Sequence, residues 1–331
     1  ASVGRRKPSS GRSAGWWAVC SVLVVLVVII GGYGCLLYVN LNPDIGPDGF
    51  QVRRVASTAS NYLSSDPSVT SAEATGAEAN INGSSVTVDA HLKDGTSVEA
   101  AANLLASTRQ KTLQKEPDYG GDFIISVSWT VKGSTIDVDV SCQRHSEAIR
   151  TDVKRALTPV GEAKSFTGSI DAYTKLTIDY GEVTALPTSL TQPSVPDSSK
   201  TFTMNGWKVT STSNTDGQFS NPPFDQLITA TRQASPTGTI DLNGTTLSVT
   251  GLVTDDDQGL TPEAAAPVVH AVANCQAAGL TTLQLNNWAS TPSNVHDPWL
   301  TFTCNNGTWT PTHESTRGQD EAAILNKAAE L

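Results

Sequence analysis

Two stretches of this chain, 161 residues apart, read as versions of one another. The first is INGSSVTVDAHLKDGTSVEAAANLLAS from Ile81, and the second is LNGTTLSVTGLVTDDDQGLTPEAAAPVVHA from Leu242. The pairs Asn82-Gly83 and Asn243-Gly244 match at an offset of 161. Ser97-Val98-Glu99 and Thr261-Pro262-Glu263 match at 164, the acidic loop of the second copy being three residues longer. Each copy passes from turn to alternating strand to loop to helix. Asn-Gly tolerates positive φ and joins strands tightly, and Val86 and Val88, like Leu247 and Val249, alternate with polar neighbours as in a strand with one buried face. Ser97 and Thr261 are good N-cap residues, Pro262 suits a first helical turn, and Glu99 and Glu263 favour the positive helix end. A repeat at this distance, far longer than a solenoid period, points to two copies of one domain.

More elements are legible around each copy. Strands are expected over 123–131 and 134–142 in the first and over 281–288 and 299–304 in the second. Helical stripes flank them: Val52, Val55, Ala56, Ala59 and Leu63, then Ile149, Val153 and Leu157; and Phe224, Leu227 and Ile228, then Ala322, Leu325, Ala328 and Ala329. The unit reads roughly α-β-α-β-β-α, an α+β sandwich with helices on one face of a small sheet. Residues 184–203, TALPTSLTQPSVPDSSKTFT, are rich in Pro, Ser and Thr and read as a linker. Domain 1 is then 50–183 and domain 2 is 204–331.

Ahead of both lies WWAVCSVLVVLVVIIGGYGCLLYV, residues 16–39, without a charge. As a helix at ~1.5 Å per residue it measures on the order of 36 Å, enough to cross ~30 Å of hydrocarbon. Arg5, Arg6, Lys7 and Arg12 precede it, and Asp44 and Asp48 follow it. The positive-inside bias puts residues 1–15 in the cytoplasm as a basic arm and everything after Asn40 outside the plasma membrane. A cleaved signal is disfavoured because the apolar run passes straight through the glycines. A lipoprotein signal is disfavoured because Gly32 and Tyr33 precede Cys35 where Leu and a small residue belong, and Leu-Leu-Tyr-Val follows it. Ala1, as the residue left by removal of an initiator Met, fits a retained arm. Gly31, Gly34 and Cys35 give the span a small-residue face for packing against another helix.

The chain has a net charge of −10; the arm carries +4, so the rest carries −14. An acidic body argues against nucleic acid as partner, since phosphates need a basic footprint. Cys142 and Cys304 end corresponding strands, whereas the helix counterpart of Cys275 is Lys111. The second copy alone can therefore join helix to strand, and a Cys275–Cys304 disulfide is expected on the oxidising side of the membrane. Cys142 is left over as a buried thiol.

A search for chemistry returns no catalytic, cofactor or metal site. The histidines make neither H-E-x-x-H nor a Cys-paired zinc spacing. Asp137 and Asp139 alternate with Ile136, Val138 and Val140, the pattern of a half-exposed strand rather than of converging carboxylates. The G-x-S-x-G formed by residues 11–15 lacks the strand and helix of a nucleophile elbow.

In element order the two modules resemble ferredoxin-like folds and, more loosely, the BON domains of bacterial envelope proteins. The whole pattern is similar to the single-span accessory subunits of the actinobacterial respiratory supercomplex. That resemblance implies a non-enzymatic, membrane-anchored extracytoplasmic subunit, with membrane protein subunits and lipid as partners and no cofactor. The alternative is an envelope module that binds peptidoglycan or lipid, with Trp207, Trp299 or Trp309 stacking on sugars.

Overall fold

The computed structural model describes residues 46–255, 259–289, 298–312 and 321–331, together with Ile29. Thirteen strands among these residues form one sheet, and their spatial order follows chain order throughout. They come as antiparallel pairs: β1 (Val69–Asn80) with β2 (Gly83–Leu92), β3 (Asp122–Val131) with β4 (Ser134–Ser141), and β5 (Ser165–Ile170) with β6 (Thr177–Val183). The next pairs are β7 (Ser199–Met204) with β8 (Trp207–Thr212), β9 (Gly238–Asn243) with β10 (Thr246–Thr250), and β11 (Thr282–Asn286) with β12 (Trp299–Asn305). Strand β13 (Thr308–Pro311) closes the series antiparallel to β12. Each pair meets the next in parallel.

A parallel contact between neighbours needs a crossover, and four of the five crossovers carry a helix: α2 (Val98–Lys115), α3 (Ser146–Ala156), α4 (Phe224–Ala234) and α5 (Pro262–Ala271). Helix α1 (Pro47–Ser64) precedes β1, and α6 (Glu321–Ala329) follows β13. The caps read from sequence are in place. Ser97 accepts from the Ala100 amide at 3.1 Å and Thr261 from the Ala264 amide at 3.3 Å.

All the strands bury the same face. On β3, Phe123, Ile125, Val127, Trp129 and Val131 point inward, and register carries the face from Val86 to Phe123, from Ile125 to Val140, and on to Ile170. On the far side it continues through Val209, Ile240, Val249, Leu285 and Leu300. Helices cover this face: α1 packs on α2, α2 on α3, α4 on α5 and α5 on α6. The buried residues form one continuous hydrophobic cluster from Val52 to Ala328.

This architecture corrects the expectation of two duplicated ferredoxin-like or BON-like sandwiches. The likeness at Ile81 and Leu242 falls on β2–α2 and β10–α5, but the recurring unit is a strand pair plus a crossover, repeated along one sheet. Strand β6 pairs with β7 in parallel, Thr177 opposite Ser199 and Val183 opposite Met204. The sheet therefore runs through the stretch expected to separate two domains. The physical reason is that an isolated half would leave the apolar pairs Phe166–Ile178 and Phe202–Val209 beside an open edge, and joining the halves buries them. Among the described residues no helix is long and apolar enough to cross a membrane. Residues 16–39, with Gly31, Gly34 and Cys35, lie outside the described residues.

The fifth crossover has no helix. Pro187, Pro193 and Pro196 interrupt the segment between β6 and β7, removing amide donors and fixing φ. It lies instead as a strap over the inward face, with Ser189, Leu190, Ser194, Val195 and Ser198 buried. Ser194 N donates to Gly217 O at 2.9 Å, and Arg155 of α3 donates to Asp216 O at 2.8 Å, so the strap and the 214–218 loop bridge the helix layer between α3 and α4.

Candidate functional site

The face opposite the helices is the candidate site. Two rows of polar side chains cross it at right angles to the strands. The first is Ser71, His91, Ser128 and Asp137 on β1–β4, then Thr167, Thr177 and Ser199 on β5–β7. It continues as Thr212, Asn243 and Thr246 on β8–β10 and ends as Thr282, Thr303 and Thr310 on β11–β13. At about 4.8 Å per strand this row extends on the order of 55–60 Å. The second row runs Thr130, Thr135, Ser165, Asp179 and Thr201, then Thr210, Asp241, Ser248, Gln284 and Thr301, over ten strands.

Four neighbouring pairs within the rows bond to one another, which restricts their rotamers. His91 Nδ1 and Ser128 Oγ are 2.5 Å apart, Thr201 Oγ1 donates to Asp179 Oδ1 at 2.9 Å, Ser199 and Thr212 hydroxyls meet at 3.0 Å, and Ser248 Oγ donates to Gln284 Oε1 at 3.1 Å. The two ends differ in charge. Strands β1–β4 carry Glu73, Glu78, Asp89, Asp122, Asp137 and Asp139 and no Lys or Arg; strands β9–β13 carry Asp241 as their one charged residue. Asp137 and Asp139 thus belong to this outward face, as their alternation indicates.

Of the three tryptophans considered for stacking, two point the other way. Trp207 is buried and its indole N–H donates to Ser235 O at 3.1 Å; buried Trp309 donates to Val272 O at 2.9 Å. Trp299 is half-buried on the outward face opposite Asn286.

The expected disulfide is present. Cys275 and Cys304, 29 residues apart with Cα atoms 5.8 Å apart, tie the turn after α5 to the end of β12. Cys142 is a free, fully buried thiol; burial pushes its pKa upward, and its S–H donates to Val140 O at 3.7 Å. A thiol held protonated in this way is a poor nucleophile and a poor metal ligand. Among the described residues no three His, Cys, Asp or Glu side chains come together as a metal site. His270 instead links helices, its Nδ1 lying 3.0 Å from Ala328 O.

The residue that sequence reasoning missed is Lys200. It stands on the inward face of β7, between Ile178 and Ser211 in register, and is 0% exposed. Its Nζ donates to the carbonyls of Ser189, Leu190 and Gln192 at 2.6, 3.1 and 2.6 Å and lies 4.1 Å from the Phe219 ring centroid. Burial pushes its pKa down to about 8 and the Glu162 carboxylate pulls the other way. Glu162 in turn accepts from Ser189 N at 3.0 Å and Thr188 Oγ1 at 3.1 Å; burial opposes its charge, and these bonds outweigh burial and hold its pKa below the usual carboxylate value. The signal was the alternation Lys200, Phe202 within a segment taken for a linker.

In comparisons with protein families, with curated proteins and with solved structures, none matches this chain.

Proposed function

We propose that this protein is a non-enzymatic accessory subunit at the outer side of the plasma membrane, and that it docks onto a larger membrane complex with the open face of its sheet. The continuity of the two polar rows is the observation that carries the reading. A face of bonded Ser, Thr, Asp and Asn side chains is rigid and broad, which suits a wide protein contact made of many hydrogen bonds. The uncharged stretch 16–39 supports membrane association, and the Cys275–Cys304 bond supports an oxidising compartment. The respiratory supercomplex is the assembly suggested by the sequence resemblance.

The test is purification of the tagged full chain from its native membrane in mild detergent. Membrane subunits are expected in stoichiometric yield. Thr210→Arg, at the middle of the second row, should reduce that yield at least tenfold while leaving the unfolding free energy within about 0.5 kcal/mol of wild type, as for an ordinary surface change. Recovery of the chain alone, or an undiminished yield with Thr210→Arg, overturns the proposal.

A further inference from the structure

A separate cavity of about 360 Å³ opens beside the central strands, between the tip of the β5–β6 hairpin, α3 and the end of the strap. Its wall includes Arg144, Asp152, Asp171, Tyr173, Lys175 and Asp197. Arg144 holds two carboxylates together: Nη1 lies 2.6 Å from Asp152 Oδ2 and Nε 3.2 Å from Asp171 Oδ2. Tyr173 is 73% exposed, yet its hydroxyl donates to the Asp122 carboxylate, which also accepts from Gln143. The ring is thus tethered at its polar tip while most of its surface faces water. An exposed aromatic normally costs solvation; one tied in the open beside a polar cavity is pre-organised as a platform.

The chemistry of the wall narrows the ligand. A strongly anionic molecule would meet Asp152, Asp171 and Asp197 with Lys175 as the remaining cation of the wall, since the Arg144 guanidinium is already shared between two of the acids. The acids do not converge as a metal site. What remains is a neutral molecule with one apolar face and several hydroxyls, because paired Arg and Asp groups offer both donors and acceptors in fixed directions. The volume is at the small end of the usual ligand range of about 300–1,000 Å³, the size of one or two sugar rings. We infer that this cavity is a sugar-binding site, in which Tyr173 carries the apolar face of a pyranose and the Arg144–Asp152–Asp171 network bonds its hydroxyls. It is independent of the docking face.

The test is saturation-transfer NMR on the full chain in detergent. The probes are glucose, mannose, N-acetylglucosamine and the β-1,4 dimer of N-acetylglucosamine, with putrescine as a cationic control. Transfer to the ring C–H protons of at least one sugar is expected. Tyr173→Ala should weaken binding at least tenfold, whereas Tyr173→Trp should keep it. Tyr173→Phe, which keeps the ring and loses the tether to Asp122, should give an intermediate loss. Tyr173-dependent sedimentation with purified envelope glycan would identify a polymer as the source of the sugar. Binding of the free sugars without sedimentation would identify a soluble one, and either supports the site. Absence of transfer to every sugar at millimolar concentration, equal binding by Tyr173→Ala, or binding of putrescine alone overturns it. The tagged purification described above reads out membrane partners and not sugar, so the two proposals fail separately.

Discussion

The crossover from β2 to β3 and the crossover from β6 to β7 solve the same problem with different physics. Both cover the inward face of a parallel strand contact. In the first, α2 satisfies its backbone internally and presents Ala101, Ala102, Leu105 and Thr108 to the sheet. In the second, prolines forbid a helix, and the strap closes only isolated turns of its own, Leu190 N donating to Pro187 O, Gln192 N to Ser189 O and Ser198 N to Val195 O. Lys200 supplies further donors from below, to the carbonyls of Ser189, Leu190 and Gln192, at a strand position whose register neighbour is Ile178. The helical cover is held by apolar burial. The strap buries Leu190 and Val195 but is held as well by one buried cation and one carboxylate, so the two should respond to different perturbations.

The largest effect should come from the helical cover. Leu105→Ala leaves a cavity under α2, where Leu105 is fully buried, and should lower unfolding free energy by about 3–4 kcal/mol in urea titration. Hydrogen exchange of residues 188–192 below the global limit should not change, because the strap does not rest on α2. Lys200→Met should cost about 2–3 kcal/mol: the side chain still fills the space, but the carbonyls of Leu190 and Gln192 lose the ammonium and Ser189 O keeps only the Gln192 amide. Here the amides of 188–192 should exchange faster while those of α2 keep their relative protection. A Lys200→Met protein as stable as wild type would mean that water replaces the ammonium and that the strap is not pinned by it.

The same contrast explains what could be read from the sequence. The helical crossovers were legible because capping residues and apolar periodicity are local: Ser97, Thr261 and the stripes around Leu105 and Leu227 are visible without knowing the fold. Strands with β-branched inward positions, such as β3 and β4, were legible for the same reason, and so was the pairing of Cys275 with Cys304. Strand β1 was not, because VTSAEATGAEAN is rich in Ala, Glu and Gly, and is extended only because it pairs along ten residues of β2, with two register shifts. Strand β7 was hidden inside a Pro- and Ser-rich stretch whose composition is that of a linker. Its place in the sheet depends on partners, β6 and β8, that are set by pairing rather than by its own residues. The open face was half legible: alternation placed Asp137 and Asp139 outward, but the rows exist only across strands, and register is not written in any single segment. The Tyr173 cavity has no sequence signature, since its wall comes from a loop, a helix, a hairpin tip and the strap.

Glu162→Ala sharpens the comparison at a smaller scale. It removes the acceptor for the Thr188 and Ser189 amides and hydroxyls at the start of the strap, and should cost about 1–1.5 kcal/mol. It also removes the negative charge that favours the Lys200 ammonium. Lys200 should therefore titrate at a lower pH in Glu162→Ala than in wild type, a shift that NMR of the lysine side chain would detect.

The smallest effect concerns pH and decides which force governs Lys200. In the folded protein its pKa is about 8 against an ordinary value of 10.5. Between these values the unfolded chain holds the proton and the folded one has released it, so the cost of burying the charge is relieved as pH rises. Wild type should gain stability relative to Lys200→Met by about 1 kcal/mol between about pH 7.5 and 9, read from paired urea titrations. Burial and the carbonyl bonds make opposite demands here. Three carbonyl acceptors favour the ammonium, which has three donors, over the amine, which has two. If those bonds outweighed burial, the folded pKa would lie above 10.5 and the gap between wild type and Lys200→Met would stay level through pH 9, then narrow above it. A widening gap from pH 8 upward means that the strap tolerates a neutral Lys200, and that its polar cover, unlike α2, is adjustable by a single proton.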